Sequence, residues 1–377
     1  MKWEKVKLGN VTDSCLGKML DQNKNKGDYQ PYLANVNVRW GEFDLEDLPL
    51  MKFEESEQER YELKYGDLVI CEGGEPGRCA IWKEQIPNMK IQKALHRVRV
   101  HDCLDYRYLF YWFLLAGKTG ELDQYFTGAT IKHMPGQKLK EVVIDKPPLE
   151  IQHRIADILS AYDDLIENNQ KQIKLLGEAA QRLYKEWFVD LRFSGHENTK
   201  IVDGVPEGWS RTNINEILTF HRGYDLTKNE MKAGRYPVVG STTVIGYHNE
   251  FKIKGPGIVT GRSGSLGKYQ FIWDNFWPHN TSLYISDYKD HNIFFVYSLL
   301  QTVDFASLNN GGAIPTLNRN VLSNIEVIEP TDELQEMFAT ITEAQYRKIR
   351  NLEKQNNQLK MARDVLLPKL MSGEVEV

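Results

Sequence analysis

The chain has 377 residues, of which 41% are hydrophobic, and a formal net charge of −5 at pH 7. This length favours two to four folded units, each with enough apolar residues for a core. The apolar stretches at 108–116 and 293–300 are too short to cross a bilayer, and no basic-then-apolar leader opens the chain. We therefore predict a soluble protein. The four cysteines contain no C-x-x-C pair, which predicts a cytoplasmic protein without a disulfide framework or zinc site.

Charge is unevenly distributed in the first third of the chain. Residues 41–75 contain twelve acidic and three basic side chains, whereas residues 76–140 contain eleven basic and five acidic ones. If the two segments fold apart from each other, one strongly polar surface with a basic face follows, and that face would suit a nucleic-acid backbone. Chance clustering on a solvated surface is the alternative interpretation.

Residues 1–147 have the pattern of a small α+β globule. The β-rich run GDLVI leads into the glycine loop GGEPGR at residues 73–78. An apolar helix is predicted at about 106–116, followed by the glycine-rich turn TGATIKHM and a short strand near 142–144.

Residues 148–192 form a predicted long helix. From Ile151 to Leu183, seam positions recur with alternating steps of four and three residues, as in a coiled coil. Asn169 interrupts this mostly apolar seam. A buried asparagine can fix helix register, and a partly exposed groove that contacts another subunit is an equally good interpretation. Trp187 near the helix end either contacts a subunit or caps the adjacent globule.

The second half repeats this plan after a linker at 193–209. A globule at 204–330 contains the glycine loop GRSGSLGK, a predicted apolar helix at about 291–301, the turn NGGAIPTLN and a strand near 325–328. The glycine loop is not a P-loop, because five residues separate Gly261 from Gly267 and Tyr269 stands where the metal-binding hydroxyl is needed. Residues 331–377 carry the second long helix.

An internal repeat connects the two long helices. With a shift of 183 residues, ten positions of 150–183 are identical to those of 333–366, without a gap. We therefore expect the two helices to pack on each other. The predicted seam or subunit-contact positions are Ile158, Asn169, Leu176, Leu183 and Trp187 in the first helix and Ile341, Leu352, Leu359 and Leu366 in the second.

Five stretches together resemble the specificity subunits of type I restriction–modification systems. They are PPLEIQHRIADIL, EAAQRLYKEWFVDLRF, YPVVGSTTVIGYH, GPGIVTGRSGSLGKY and LLPKLMSGEVEV. The resemblance implies an α+β chain with two similar target-recognition domains, at 1–147 and 204–330. It implies that the two long helices pack as an antiparallel coiled coil and that the halves have a pseudo-twofold arrangement.

The resemblance also implies a function without catalysis. Each recognition domain would bind one half of a bipartite double-stranded DNA site, and the helices would act as a ruler and bind two modification (methyltransferase) subunits. A restriction subunit with translocase and nuclease activity would join through them in host defence. S-adenosylmethionine, ATP and Mg would belong to these partners, with no cofactor or metal on this chain.

Two other classes of function remain open. A protein-binding coiled-coil scaffold would explain the helices but not the paired globules. A single-chain DNA-modifying enzyme is disfavoured by the motifs, because Pro147-Pro148 lacks the preceding Asn or Asp of an amino-methyltransferase.

DNA binding needs cations for phosphates and forked or amide side chains for base edges. Residues of these types in or near the glycine loops and turns are the predicted DNA contacts. In the first globule they are Arg78, Lys90, Lys93, Arg97, Lys132 and His133. In the second they are Arg222, Tyr224, Ser241, Thr242, Thr243, Arg262, Ser263, Lys268, His279, Asn280 and Arg319.

Overall fold

The computed structural model describes residues 3–19, 21, 25–262, 267–303 and 325–377. Two compact units divide the chain: unit 1 comprises Met1–Asn168 with Gln355–Val377, and unit 2 comprises Asn169–Lys354. Each unit contains one globule and a part of each long helix. The sequence-based domain boundaries instead divide the chain at the helix ends, and they remain a prediction.

Within its described residues, the unit 1 globule contains nine short strands and three α-helices. The strands are β1 Glu4–Lys7, β2 Thr12–Leu16, β3 Asp28–Leu33, β4 Leu50–Phe53, β5 Leu68–Cys71, β6 Cys79–Ile81, β7 Lys90–Ile91, β8 Leu95–Val100 and β9 Val143–Lys146. The helices are α1 Gln58–Tyr61, α2 Tyr106–Thr119 and α3 Gly136–Glu141. The long helix α4, Leu149–Tyr184, follows β9.

The strands of unit 2 begin with a short hairpin, after which they correspond to those of unit 1. The strands are β10 Ile201–Val202, β11 Val205–Pro206, β12 Ser210–Asn213, β13 Thr219–Arg222, β14 Tyr236–Val239, β15 Val244–His248, β16 Gly257–Gly261, β17 Tyr269–Ile272, β18 Trp277–Pro278, β19 Ser282–Asp287 and β20 Glu326–Glu329. The helices are α5 Ile214–Ile217, α6 Ile293–Thr302 and the second long helix α7, Asp332–Met371.

The two globules share one topology. In unit 1 the strand orders are β1-β9, β2-β8-β5-β6 and β4-β3-β7; in unit 2 they are β12-β20, β13-β19-β16-β17 and β15-β14-β18. In each three-stranded sheet the last pair is parallel, β3 with β7 and β14 with β18. The α+β class is therefore confirmed. The internal duplication is confirmed too, and it includes the globules as well as the helices in which the sequence repeat is visible.

Helix α2 of unit 1 and helix α6 of unit 2 each begin at a side-chain cap. The carboxylate of Asp105 accepts hydrogen bonds from the backbone N–H groups of Arg107 and Tyr108 at the start of α2. Asn292 accepts the N–H of Phe294 at the start of α6 in the same way. Such caps satisfy backbone donors that have no partner within the helix, so both helices begin at the same place in the duplicated fold.

A buried glutamine fixes each long helix to its globule. The Gln152 Nε2 atom donates to the Pro147 carbonyl at 2.8 Å, and Gln335 Nε2 donates to the Pro330 carbonyl at 2.9 Å. The Gln152 Oε1 atom also accepts the N–H of Asp105, the α2 cap. The start of α4 and the start of α2 are thereby held by one amide.

The long helices run antiparallel within each unit. In unit 1, Arg363 of α7 forms an ion pair with Asp163 of α4, and the Asn356 amide donates to the Ile166 carbonyl. In unit 2, the rings of Tyr184 and Phe338 lie 5.7 Å apart. The predicted packing of the two helices on each other is confirmed.

The predicted phase of the seam is partly wrong. Leu159 and Ile166 are buried, whereas their neighbours Ile158 and Leu165 are exposed, at 38% and 52%. In α7, Thr342 is fully buried while Ile341 is 43% exposed. Where apolar residues are adjacent, as Ile158 and Leu159 are, the sequence fits two heptad patterns that share every second seam position. The structure uses the pattern that was not predicted.

The other predicted seam positions lie inside or at the edge of the helix pair. Leu352 and Asn169 are buried, and Leu176, Leu183, Leu359 and Leu366 are partly buried. Trp187, also partly buried, follows α4 and packs with Phe188 and Phe338 in the unit 2 core. This supports the interpretation of Trp187 as a packing residue.

Candidate nucleic-acid interface

In unit 2, several strand ends meet at one end of the sheets. Strands β13 and β16 finish there, β19 begins there, and β14 and β18 finish side by side. The loops that follow these strand ends form what we call the unit 2 loop end, which comprises residues 222–225, 240–243, 262 and 279–281. Most of the predicted contacts of this globule lie in these loops, although they are far apart in sequence.

Hydrogen bonds order the side chains of the unit 2 loop end. Ser241 Oγ donates to the Thr281 carbonyl at 2.8 Å, and a His279 Nδ1–Thr281 Oγ1 hydrogen bond measures 2.9 Å. Asn280 donates its amide to Asp225, which also lies 3.7 Å from the Arg222 guanidinium. These side chains are therefore held in place by bonds within the chain.

An aromatic pair lies beneath this layer. The hydroxyls of Tyr224 and Tyr284 are 2.9 Å apart, and their rings stack at 6.0 Å. Burial, together with the hydrogen bond to Tyr224, raises the pKa of Tyr284. The Tyr284 phenol thus remains neutral, and Tyr224, which shares a hydrogen bond with it, supports the loop.

Some polar and cationic side chains of unit 2 are available for a ligand. Thr242, Thr243 and Lys268 are exposed. Arg262 is half-buried, and its backbone N–H donates to the Thr281 carbonyl at 3.1 Å. Within the described parts of the chain, its guanidinium has no hydrogen bond or ion pair, so it can bind a phosphate or a guanine edge.

Lys252 is a further cation at this site that the sequence did not single out. Its ammonium lies 4.7 Å from the Trp277 ring centroid and 5.9 Å from that of Tyr224. The side chain is exposed and belongs to a loop between β15 and β16. No glycine or motif marks it in the sequence; only the tertiary fold brings it beside Tyr224.

Unit 1 has the same loop end, built from the same backbone bonds. We define the unit 1 loop end as residues 17–18, 34–35, 72–78, 92–94 and 127–133. Four pairs of amide-to-carbonyl bonds correspond between the units: Gly17 to Leu95 with Gly223 to Ser282, Lys18 to Ile91 with Tyr224 to Pro278, Glu72 to Ala94 with Arg262 to Thr281, and Gln92 to Leu33 with His279 to Val239. These bonds align the two loop ends residue by residue.

Lys93, Lys132 and His133, three of the predicted DNA contacts, lie at the unit 1 loop end. Lys93 is exposed, and its ammonium has no partner within the described ranges of the chain. Lys132 lies 3.5 Å from Asp123. His133 exchanges backbone hydrogen bonds with Thr127, which closes the turn TGATIKH into a small hairpin.

Arg78 also lies at this end, but its guanidinium is already engaged. It donates to Glu75 and to the Asn35 carbonyl, each at 2.9 Å, and the side chain is mostly buried. In this arrangement Arg78 stabilises the glycine loop. A contact with DNA would require it to leave both partners.

The placement of Lys90 and Arg97 argues against the predicted contacts. Lys90 is 0% exposed, and its ammonium is 2.7 Å from Glu62 Oε2. Arg97 donates to the carbonyls of Glu59, Arg60 and Glu62. An unpaired cation inside the globule would cost free energy, so both side chains are paired with groups of the acidic segment 41–75. These pairs fix that segment to β7 and β8.

The same contacts show that the acidic and basic segments pack against each other, so the condition stated for a separate basic face is not met. Asp67 accepts two hydrogen bonds from Arg99, each at 2.7 Å, and Glu62 pairs with Lys90. The net charges of 41–75 and 76–140 therefore compensate each other in part across the globule. Two predicted contacts, Ser263 and Arg319, lie outside the described residues.

A buried histidine connects β8 to the predicted contact loop. His96 Nε2 is 2.9 Å from the Met134 carbonyl, directly after His133. Burial lowers the pKa of His96, so the neutral ring donates this hydrogen bond near neutral pH. His96 is thus a positioning residue for the 127–133 hairpin.

Neither a metal cluster nor a membrane span is visible in what the structure describes. Over those ranges no three His, Cys, Asp or Glu side chains are grouped to hold a metal ion. None of the helices described there is long and apolar enough to cross a bilayer.

Comparison with known proteins places this duplicated fold in a family. The model of the type I restriction modification DNA specificity domain matches residues 1–177 and again 206–361. These matches cover most of the chain, one in each half. The chain belongs to the family of type I restriction–modification specificity subunits.

Individual relatives agree with this assignment. The MjaIX specificity subunit of Methanocaldococcus jannaschii is 28% identical over 342 residues, which cover 83% of this chain and 78% of that protein. The MjaVIII specificity subunit of the same organism is 28% identical over 227 residues, 59% of this chain and half of its own length. The crystal structure of the M. genitalium type I S subunit has the same fold, with a TM-score of 0.60 at 20% identity, over 98% of this chain and 96% of that one.

Proposed function

We propose that this chain binds a bipartite double-stranded DNA site, with one half-site contacted by each loop end, and positions two N6-adenine methyltransferase subunits there. The observation that carries the proposal is the pair of equivalent loop ends. The same backbone bonds hold both, while the side chains that project from them differ. One scaffold that presents two different polar surfaces is suited to two different half-sites.

The docking sites for the methyltransferase subunits are proposed on the long helices. Ile158 and Ile341 are equivalent by the 183-residue repeat, and both are exposed rather than in the seam. An apolar residue kept at the same exposed position in both copies fits two copies of one partner. S-adenosylmethionine, ATP and Mg would be bound by the methyltransferase and restriction subunits, and the restriction subunit would join through this assembly.

A domain exchange tests the proposal. Residues 1–147 are replaced by the first recognition domain of another family member, and the complex with its modification subunits is given a randomised duplex library and methyl donor. Sequencing of the methylated adenines should show a change in one half-site only. An assembled exchange variant that alters both half-sites would contradict independent binding by the two globules.

The scaffold alternative gives a different result in the same experiment. A coiled coil that binds only proteins would assemble with the modification subunits but leave methylation without a sequence motif. Binding of the complex to DNA, measured with and without methyl donor, then separates a DNA-binding subunit from a scaffold.

A further inference from the structure

The aligned backbone bonds give three side chains of the unit 2 loop end, Tyr224, Arg262 and His279, a counterpart in unit 1. This inference rests on the proposed function. Gln92 corresponds to His279, because each donates its N–H to the last residue of the neighbouring strand, Leu33 or Val239. Each also forms an isolated parallel bridge, Gln92 with Lys18 and His279 with Tyr224.

In both units a glycine lies very close to the backbone of this residue, Gly17 beside Gln92 and Gly223 beside His279. A Cβ on Gly17 would lie 2.5 Å from the Gln92 carbonyl oxygen, and one on Gly223 would lie 2.1 Å from the His279 carbonyl oxygen. Only glycine permits so close an approach between two backbones. The backbone beneath Gln92 and His279 is therefore fixed in the same way, and the side chain above it is the part that varies.

The Gln92 amide is available at the surface. The side chain is half-buried, and among the residues that the structure describes its amide has no hydrogen-bond partner. Lys93 beside it is exposed and cationic. A planar amide next to a cation matches the way in which proteins contact a base edge and the adjacent phosphate.

We propose that Gln92 is a specificity-determining residue that contacts a base of the half-site bound by unit 1. A glutamine amide can donate and accept at once, which fits the N6 and N7 positions of adenine in the major groove. His279 is its counterpart for the other half-site. Glu72 stands where unit 2 has Arg262, so the two half-sites are contacted by different chemistry around this position.

Substitution of Gln92 in the complex with the modification subunits tests the assignment. With Gln92→Ala, preference at one base pair of one half-site should fall by about 5- to 150-fold, the range for loss of a bidentate contact. The other half-site should keep its preferences. Gln85→Ala is the matched control, since Gln85 is exposed in the loop after β6, which leads away from the loop end.

Gln92→Glu supplies a second measurement with a side chain of the same shape. A carboxylate only accepts hydrogen bonds, so preference at that position should shift from adenine toward cytosine, whose N4 amine donates. The readout for each variant is sequencing of methylated adenines in a randomised duplex library, with assembly checked by gel filtration.

The outcomes separate this assignment from the proposed function. If the wild-type complex methylates a defined motif and both assembled Gln92 variants keep every base preference, the assignment is overturned while the proposed function stands. The same holds for Gln92→Glu alone if Gln92→Ala does not assemble. A wild-type complex that methylates without a motif would refute the proposed function and this assignment with it.

Discussion

Lys90 and Lys93 lie three residues apart, and only one of them can contribute to DNA binding in this structure. Lys93 is exposed at the unit 1 loop end, whereas Lys90 is buried against Glu62. We therefore predict opposite phenotypes for Lys93→Ala and Lys90→Met in the complex with the modification subunits. The sequence alone treats the two lysines alike.

The expected size of the Lys93 effect follows from counterion release. Each phosphate contact contributes about 0.9 to the slope of log affinity against log salt. Lys93→Ala should lower that slope by about 0.9. Over a fourfold rise in salt, the affinity advantage of the wild type should then shrink by about 3.5-fold.

Lys90→Met should leave the salt slope unchanged and reduce stability instead. Removal of the ammonium leaves the Glu62 carboxylate without its partner at the edge of the core. Because Glu62 is 29% exposed, water can replace part of the lost interaction. We expect a loss of about 1–3 kcal/mol in the free energy of unfolding.

Fluorescence anisotropy titrations of a labelled specific duplex at four salt concentrations measure the slopes, and urea unfolding measures stability. Two results would refute the reasoning. One is a Lys93→Ala slope equal to that of the wild type; the other is a lower slope for Lys90→Met with unchanged stability.

Four further predictions concern the loop end and the helices. Arg262→Ala should lower the salt slope by about one if Arg262 binds phosphate, or cost about 1–3 kcal/mol at one base position if it contacts guanine; unchanged binding on all duplexes would refute both. Ile158→Asp should weaken binding of the modification subunits in pull-down assays, whereas Leu165→Asp, exposed without an apolar repeat counterpart, should not. The lowered pKa of His96 means that its contribution to stability is present above about pH 6.5 and lost on acidification, so urea midpoints of His96→Gln should depend less on pH than those of the wild type between pH 7.5 and 5.5. Insertion of four residues after Gln170 adds about 6 Å of helix and should lengthen the spacer between half-sites by one or two base pairs in methylome sequencing; an active variant with the original spacer would show that the helices do not measure distance.

The duplication was predictable from the helices but not in detail from the globules. The helices repeat at a constant shift of 183 residues, because an insertion within a packed helix pair would disturb its seam. In the globules the shift is 206 residues at Gly17 and Gly223, but 187 at Gln92 and His279. Loops between strands tolerate insertions, so no single frame aligns the loop ends, and the sequence repeat does not mark Gln92 as the counterpart of His279.

The errors at Lys90 and in the seam have a common physical origin. Lys90 is buried because Glu62, 28 positions earlier in the chain, reaches it across the sheet. Ile158 is exposed because Leu159 occupies the seam beside it. In both cases local sequence allows two environments, and the choice between them is made by contacts that are distant in sequence.

Scaffold and specificity occupy different positions in the duplicated fold. The residues that fix the backbone are the same type or do the same work in both units, as Gly17 and Gly223 do at the loop ends and Gln152 and Gln335 do at the helix starts. The side chains that project from the loop ends differ, as Gln92 and His279 do. A change of projecting side chain leaves the backbone bonds intact, because those bonds involve only main-chain atoms. Substitution of a projecting side chain without a partner, such as Gln92, should therefore alter the DNA sequence that is bound at little cost in stability, whereas Gly17→Ala or Gln152→Leu should disturb folding whatever the target sequence.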